Sequence, residues 1–353
     1  MKIFQFCCAV LLSTQLAACG GGGGSATSAQ APITVPVTPP VANPVPNPAP
    51  VVDPTPGPVT TPVAGPSILF VGDSGNKVIA AFDVLAPTGP GTVIAKLLTS
   101  DFSLINGGKL DAPRDLLYVS AFTEVAVFSK ASTLTGKIVP ARTFTPKLST
   151  DAYIANTLLD AANDRVYIAF RGRDSGIAVY DHASTLQGAV TPNRVITGTF
   201  DTYNFTIDFK RGILYSKSSL NDPIRVFDNV DKASGALTPA RSIKLDGNIV
   251  ALSIDADRDI LFAMVQNAGV TSTGNASTIS SNLPLPRSVI SMSVITGNAI
   301  VSVDPRNDRL YIYTDGGAYI INEASRLPLL GRSSILSLSV GSGANFNITG
   351  FGF

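Results

Sequence analysis

Between residues 66 and 353 one pattern occurs six times, each copy closing a short apolar run on Phe, Tyr or a close equivalent. Phe70, Tyr118, Tyr167, Tyr215, Phe262 and Tyr311 mark the register, with successive separations of 48, 49, 48, 47 and 49. Asp111, Asp160, Asp208, Asp255 and Asp304 stand seven residues ahead of this column, and Phe82, Phe128, Tyr180, Phe227 and Ile320 follow it. A strand-built unit of this length cannot bury its apolar surface alone and must stack against copies of itself, which predicts the blades of a β-propeller.

The third repeat shows the layout. Ile154 to Leu159, Val166 to Phe170, Ile177 to Tyr180 and Arg194 to Thr197 are runs of strand length, rich in β-branched and aromatic residues. They read as antiparallel strands A, B, C and D of one blade. Strands B and C are apolar on successive residues, as expected where both faces of a sheet are covered. The outermost runs, Arg142-Thr-Phe-Thr145 and Arg241-Ser-Ile-Lys244, alternate polar with apolar, like a protected edge. The first repeat starts at strand B, and Asn345 to Phe351 resembles the strand A run Asn204 to Phe209. The expected fold is therefore all-β, a six-bladed β-propeller over 66–353 closed by its own C-terminal strand beside Leu69 and Phe70.

Ahead of this domain, Lys2 precedes an uncharged apolar stretch, too short and too interrupted to span a bilayer, that reads as an export signal over residues 1–18. Leu16-Ala-Ala-Cys19 resembles the lipobox of bacterial lipoproteins, which implies cleavage before Cys19 and acylation of its sulfur. Two or more acyl chains anchor a protein stably where one does not. Gly20 after the cysteine is similar to outer-membrane sorting signals, and Gly20 to Gly24 resembles the glycine tether of such proteins, some of which reach the cell surface. Residues 19–65 form a disordered Gly- and Pro-rich linker, with 13 prolines in positions 31–66. Fully extended at ~3.1 Å per residue, positions 31–66 reach on the order of 100 Å, enough to hold the domain clear of the lipid headgroups.

Composition excludes several function classes. Without Lys2 the chain carries 25 Lys plus Arg against 25 Asp plus Glu, so no basic surface is available for nucleic acid. All three cysteines lie within the first 19 residues, and one histidine, His182, remains in the domain. Disulfides, cysteine metal sites and most zinc or triad schemes are thereby removed. Glu124 and Glu323 are the only glutamates.

The segments Asp160-Ala-Ala-Asn-Asp-Arg-Val-Tyr-Ile, Asp304-Pro-Arg-Asn-Asp-Arg-Leu-Tyr-Ile and Ile224-Arg-Val-Phe-Asp resemble the NHL and YVTN class of bacterial propellers. That resemblance covers the folded domain and implies a blade type without a ligand, since such folds host lactonases, binding modules and assembly factors.

Three recurrent features read as structural. Asp160, Asp164, Asp255, Asp259, Asp304 and Asp308 sit at A–B hairpins, where Asp bonds nearby backbone amides. His182 occupies a position held elsewhere by Lys130, Asn229 and Glu323 and reads as a solvated turn. Ala131-Ser-Thr-Leu-Thr-Gly and Ala183-Ser-Thr-Leu-Gln-Gly lack the Lys-Ser/Thr of a phosphate loop and read as C–D connections turned by Gly136 and Gly188.

Ligand-binding candidates come from the loops of the opposite face. The D–A loops carry Asp101, Asp151 with Tyr153, Asp201 with Tyr203, and Asp246, a set suited to a cation or a sugar. Arg171, Arg173 and Asp174 form the densest charge cluster and belong to one repeat alone.

With no nucleophile beside a base and no metal cluster, the residues favour a monomeric, non-enzymatic envelope lipoprotein that binds a protein or glycan without a cofactor. One alternative is a hydrolase or lactonase with calcium in the channel, as the six-bladed relatives imply, but neither Glu124 nor Glu323 falls on an innermost strand. Another is an outer-membrane assembly factor.

Overall fold

The computed structural model describes residues 68–73, 78–83, 92–99, 107–217, 222–280, 289–291, 299–314, 317–329, 335–338 and 348–352. The expected signal peptide, Cys19, the linker and Asp101 lie outside the described residues.

The first repeat supplies β1 (Ile68–Asp73), β2 (Val78–Asp83) and β3 (Thr92–Thr99). The second supplies β4 (Gly107–Asp111), β5 (Leu116–Ser120), β6 (Val125–Ser129), β7 (Lys137–Ile138) and β8 (Arg142–Pro146). The third holds β9 (Tyr153–Asp160), β10 (Arg165–Arg171), β11 (Gly176–Asp181), β12 (Gly188–Val190) and β13 (Arg194–Gly198). The fourth holds β14 (Phe205–Asp208), β15 (Ile213–Ser216), β16 (Ile224–Phe227), β17 (Gly235–Leu237) and β18 (Arg241–Ile243). The fifth has β19 (Ile249–Asp255), β20 (Ile260–Val265), β21 (Gly269–Gly274) and β22 (Val289–Ser291). The sixth has β23 (Ile300–Asp304), β24 (Arg309–Thr314), β25 (Gly317–Asn322) and β26 (Ile335–Leu338), followed by β27 (Ile348–Gly352).

These strands form an all-β propeller arrangement, but they make five sheets where six blades are expected from the repeats. The reason is β27. It pairs antiparallel with β1, through Val71 with Gly350 and Asp73 with Ile348, and parallel with β4, through Phe351 with Gly108 and Gly352 with Lys109. Using both edges, it merges the first two repeats into one ten-stranded sheet.

The outer edges differ from expectation as well. The C–D connections contribute β7, β12 and β17, which pair parallel with β3, β8 and β13 of the preceding repeat. The outer strands β8 and β13 are therefore covered by a neighbour's strand rather than left as polar edges. Gly136 and Gly188 start these excursions at φ of 63° and 66°, backbone that a side chain disfavours. One column also shifts: Phe128, Tyr180 and Phe227 face Leu117, Val166 and Leu214, and the residue facing Leu310 is Ile321, not Ile320.

Strand B divides its side chains between two seams. Val166, Ile168 and Phe170 pack with Tyr118, Val127 and Phe144 of the second repeat, whereas Tyr167 and Ala169 pack with Phe205, Ile207 and Leu214 of the fourth. Each such side chain contributes roughly 1.5–3 kcal/mol on burial. Burial also holds the Tyr118, Tyr180, Tyr215 and Tyr311 hydroxyls far above their usual ionisation range.

Charged residues tie the seams at the A–B and C–D face. The buried carboxylates of Asp111, Asp208 and Asp255 bond Arg114, Arg211 and Arg258 at 3.0, 2.8 and 2.8 Å. The same guanidinium nitrogens donate to Ala161 O, Ala256 O and Pro305 O of the next repeat at 2.7, 2.6 and 2.8 Å. A second row runs through Arg142, Arg194 and Arg241, which donate to Leu186 O, Asp231 O and Ser277 O across the seams between the second and third, third and fourth, and fourth and fifth repeats. Within a repeat, Asp115, Asp164, Asp259 and Asp308 accept both the backbone N–H and the hydroxyl of Ser132, Ser184, Ser277 and Ser325. In the fourth repeat the pair is exchanged. Gly212, at φ of 66°, takes the turn position and Asp231 the serine position, where a Cβ on Gly212 would lie 2.5 Å from Asp231 Oδ1.

His182 shares left-handed backbone, φ of 56°, with Lys130, Asn229 and Glu323 at 55°, 60° and 54°. Geometry, not side-chain chemistry, unites that column.

Arg211→Ala removes both the partner of a buried carboxylate and a bond to the next repeat, and is expected to cost about 2–4 kcal/mol. Lys210→Ala breaks an exposed pair with Asp257 and should cost under ~0.5 kcal/mol. Urea unfolding followed by circular dichroism checks the contrast, and equal losses would contradict it.

Candidate functional site: an aromatic platform

With the A–B and C–D connections committed to the seams, the D–A and B–C loops of the other face are left to carry function. Phe122, in the loop between β5 and β6, lies 5.5 Å from the Tyr153 ring, centroid to centroid. Its carbonyl accepts the Ile154 N–H at 2.7 Å, which ties that loop to the start of β9. The Tyr153 and Tyr203 hydroxyls share a hydrogen bond of 2.7 Å. The Arg171 guanidinium lies over the Tyr203 ring, 4.8 Å from its centroid. One contiguous cluster thus crosses the second, third and fourth repeats. Phe122 and Tyr203 keep 39% and 45% of their surface open.

Local backbone features aim these side chains. A bulge in β9 between its pairings with Ala169 and Phe170 turns Asn156 toward the fourth repeat, where its amide donates to Tyr203 O at 3.3 Å. Asp201 Oδ1 accepts the Tyr203 N–H at 2.8 Å, and Ser216 bonds both the N–H and the carbonyl of Asp201. Gly172 lets the Arg171 loop lie against the D–A loop, since a Cβ there would sit 2.8 Å from Ala152 Cα and 2.9 Å from Asp151 O. Burial, followed by the hydrogen bond with Tyr153, pushes the Tyr203 hydroxyl above its usual range.

A second polar group lies beside this cluster. The Lys217 amine, 3% exposed as a residue, donates to Asn248 Oδ1 at 2.6 Å and Ile249 O at 2.9 Å. Asn248 in turn donates to Gln266 Oε1 at 2.6 Å. Burial pushes the Lys217 amine down.

Of the residues predicted from sequence, Tyr153, Tyr203, Arg171 and Asp201 meet. Asp151 is exposed at a turn with φ of 62°, and Arg173 and Asp174 are exposed without a hydrogen bond or ion pair among the described residues. Asp246 is exposed in the loop before β19. No three His, Cys, Asp or Glu side chains gather among the described residues. Phe122, Asn156, Lys217 and Gln266 were not anticipated. A signal existed for two of them: Phe122 and Gln266, like Arg171, stand four residues after the aromatic column, at a position that is Ser in the first and fourth repeats and Asp in the sixth.

The innermost strands carry their own column. Lys109, Leu158, Thr206, Ser253 and Ser302 pair with Tyr118, Tyr167, Tyr215, Phe262 and Tyr311. Lys109 is its only charged member. Burial pushes its amine down to about 8, although part of the side chain remains open.

No family model matches the chain, and no curated protein matches it by sequence. Among solved structures it is similar to a chain of a nidogen/laminin complex, with a TM-score of 0.53 at 15% identity over 81% of this chain and 96% of that one. A hydrazine synthase from Kuenenia stuttgartiensis scores 0.47 at 14% identity, over 78% of this chain and 83% of that one. A mitotic checkpoint complex scores 0.42 at 10%, over 69% and 67%. The first likeness, together with the sheet arrangement, defines the class as a β-propeller and goes no further than the fold.

The folded chain releases the Lys109 proton near pH 8, whereas an unfolded lysine holds it to about 10.5. Between these values the unfolded state binds more protons, so stability is expected to rise with pH, and Lys217 adds in the same direction. Lys109→Met should flatten the rise. Urea midpoints across that window, kept below tyrosine ionisation, check it, and an unchanged slope would refute the assignment.

Proposed function

We propose that this chain is a lipid-anchored envelope protein whose propeller is a non-enzymatic interaction module, gripping a protein partner through Phe122, Tyr153, Tyr203 and Arg171. The observation that carries this reading is the open, contiguous cluster on the loop face. Aromatic residues and Arg are the types that dominate binding energy at protein interfaces, because they offer large, rigid area with a polar tip. The cluster is fixed beforehand by Gly172, Asn156 and Asp201, which lowers the cost of ordering it on binding. Such preorganisation suits a rigid docking face.

The address in this reading rests on the sequence. Leu16-Ala-Ala-Cys19 supports acylation at Cys19, Gly20 supports the outer membrane, and the prolines of 31–66 support a spacer that carries a monomeric domain clear of the lipid.

The test is a photo-crosslinking residue at position 203 or at position 139 in the full chain on whole cells. Val139, 74% exposed between β7 and β8, lies on the opposite face. A discrete adduct is expected from 203 and none from 139, and Cys19→Ser should release the protein from the membrane fraction. Equal labelling at both positions, or none at either, would defeat the proposed face.

A further inference from the structure

Two polar groups face one another across the seam between β4 and β9, and the ring requires neither. Lys109 pairs with Tyr118, whose ring packs into this seam, and Thr157 pairs with Ile168, which packs into it from the other side. The two side chains therefore enter from opposite walls. Counted from the hairpin aspartates they stand one residue apart in register, two before Asp111 and three before Asp160.

Thr157 is 1% exposed, and its hydroxyl has no hydrogen-bond partner. Lys109 has no ion pair or hydrogen bond from its amine among the described residues. The nearest carboxylates in sequence are engaged elsewhere, Asp111 by Arg114 and Asp160 by Asn163. In the other repeats Lys109 is replaced by Leu158, Thr206, Ser253 and Ser302, and Thr157 by Gly108, Phe205, Leu252 and Val301. An uncompensated ammonium and an orphaned hydroxyl are each costly inside a protein. Uncharged or apolar residues fill the same places elsewhere, so the fold gives no reason to keep them.

We propose that this seam binds a small carboxylate, one oxygen accepting from the Lys109 ammonium and the other from the Thr157 hydroxyl. A monoanion matches the single positive charge. Phosphate would leave excess negative charge in a partly dry site, and a bridging water would leave the ammonium uncompensated. The ligand enters where the Lys109 side chain stays open, and it restores the amine to its charged form. Binding is therefore strongest below pH 8, where the amine is already protonated.

The experiment is thermal unfolding of the full chain at neutral pH in acetate, phosphate and chloride of equal ionic strength. Acetate should raise the midpoint by a few degrees over chloride, and phosphate should raise it less. Lys109→Met should abolish the shift while melting no lower than the parent in chloride, and Thr157→Val should weaken it. A carboxylate effect that persists in Lys109→Met would place the ion elsewhere and overturn the site, as would a parent protein indifferent to acetate. Should Lys109→Met fail to fold, NMR titration of the reductively ¹³C-methylated amine in the parent decides. The Lys109 signal must titrate at higher pH with acetate present, and an unmoved titration rejects the site.

Discussion

Every sheet here is apolar on both faces, and from that constraint the rest of the architecture follows. A blade with two oily faces is insoluble alone and must be covered on each side by another. Val166 and Ile168 look one way and Tyr167 the other, so each repeat is held by its neighbours before any polar contact is considered. The tail strand β27 meets the same demand at the first repeat, and in pairing with both β1 and β4 it fuses two repeats into a single sheet.

Polar chemistry is distributed unequally over the two faces of the ring. On one, aspartates and arginines are consumed in holding seams: Arg211 bonds Asp208 within its own hairpin and Ala256 O in the next repeat. On the other, rings and a guanidinium remain accessible and are positioned by a bulge, a glycine and an Asx turn. This division explains how a fold with so regular a frame can carry an individual surface. The frame repeats because the seams repeat, whereas the loop contacts that cross seams, such as Phe122 O with the Ile154 N–H, are particular to one pair of repeats.

Much of the fold is legible in the chain because burial imposes a period. The aromatic column and the aspartates ahead of it locate strands A and B, and β10 and β11 fall within a residue or two of the runs read from hydrophobicity. The short strands β7, β12 and β17 were not legible, since two or three residues cannot display alternation and their partner lies in another repeat. The merging of two repeats was hidden for a related reason: nothing in Ile348 to Gly352 states that both edges will be used. At the site, Tyr153, Tyr203 and Arg171 stood out as residues that the blade does not need. Phe122 did not, because a lone aromatic in a tight loop resembles any core residue. Asn156 was invisible, since its role depends on the bulge that re-aims it.

The exchange between Gly212 and Asp231 bears on how such a ring can diversify. Elsewhere the carboxylate sits on the hairpin and the hydroxyl on the connection, whereas in the fourth repeat the acid has crossed over and the hairpin has lost its side chain. Introducing aspartate at 212 alone would crowd two carboxylates together, since even a Cβ there lies 2.5 Å from Asp231 Oδ1. A carboxylate at 212 therefore calls for a smaller residue at 231, and the two positions constrain one another across the hairpin and the connection.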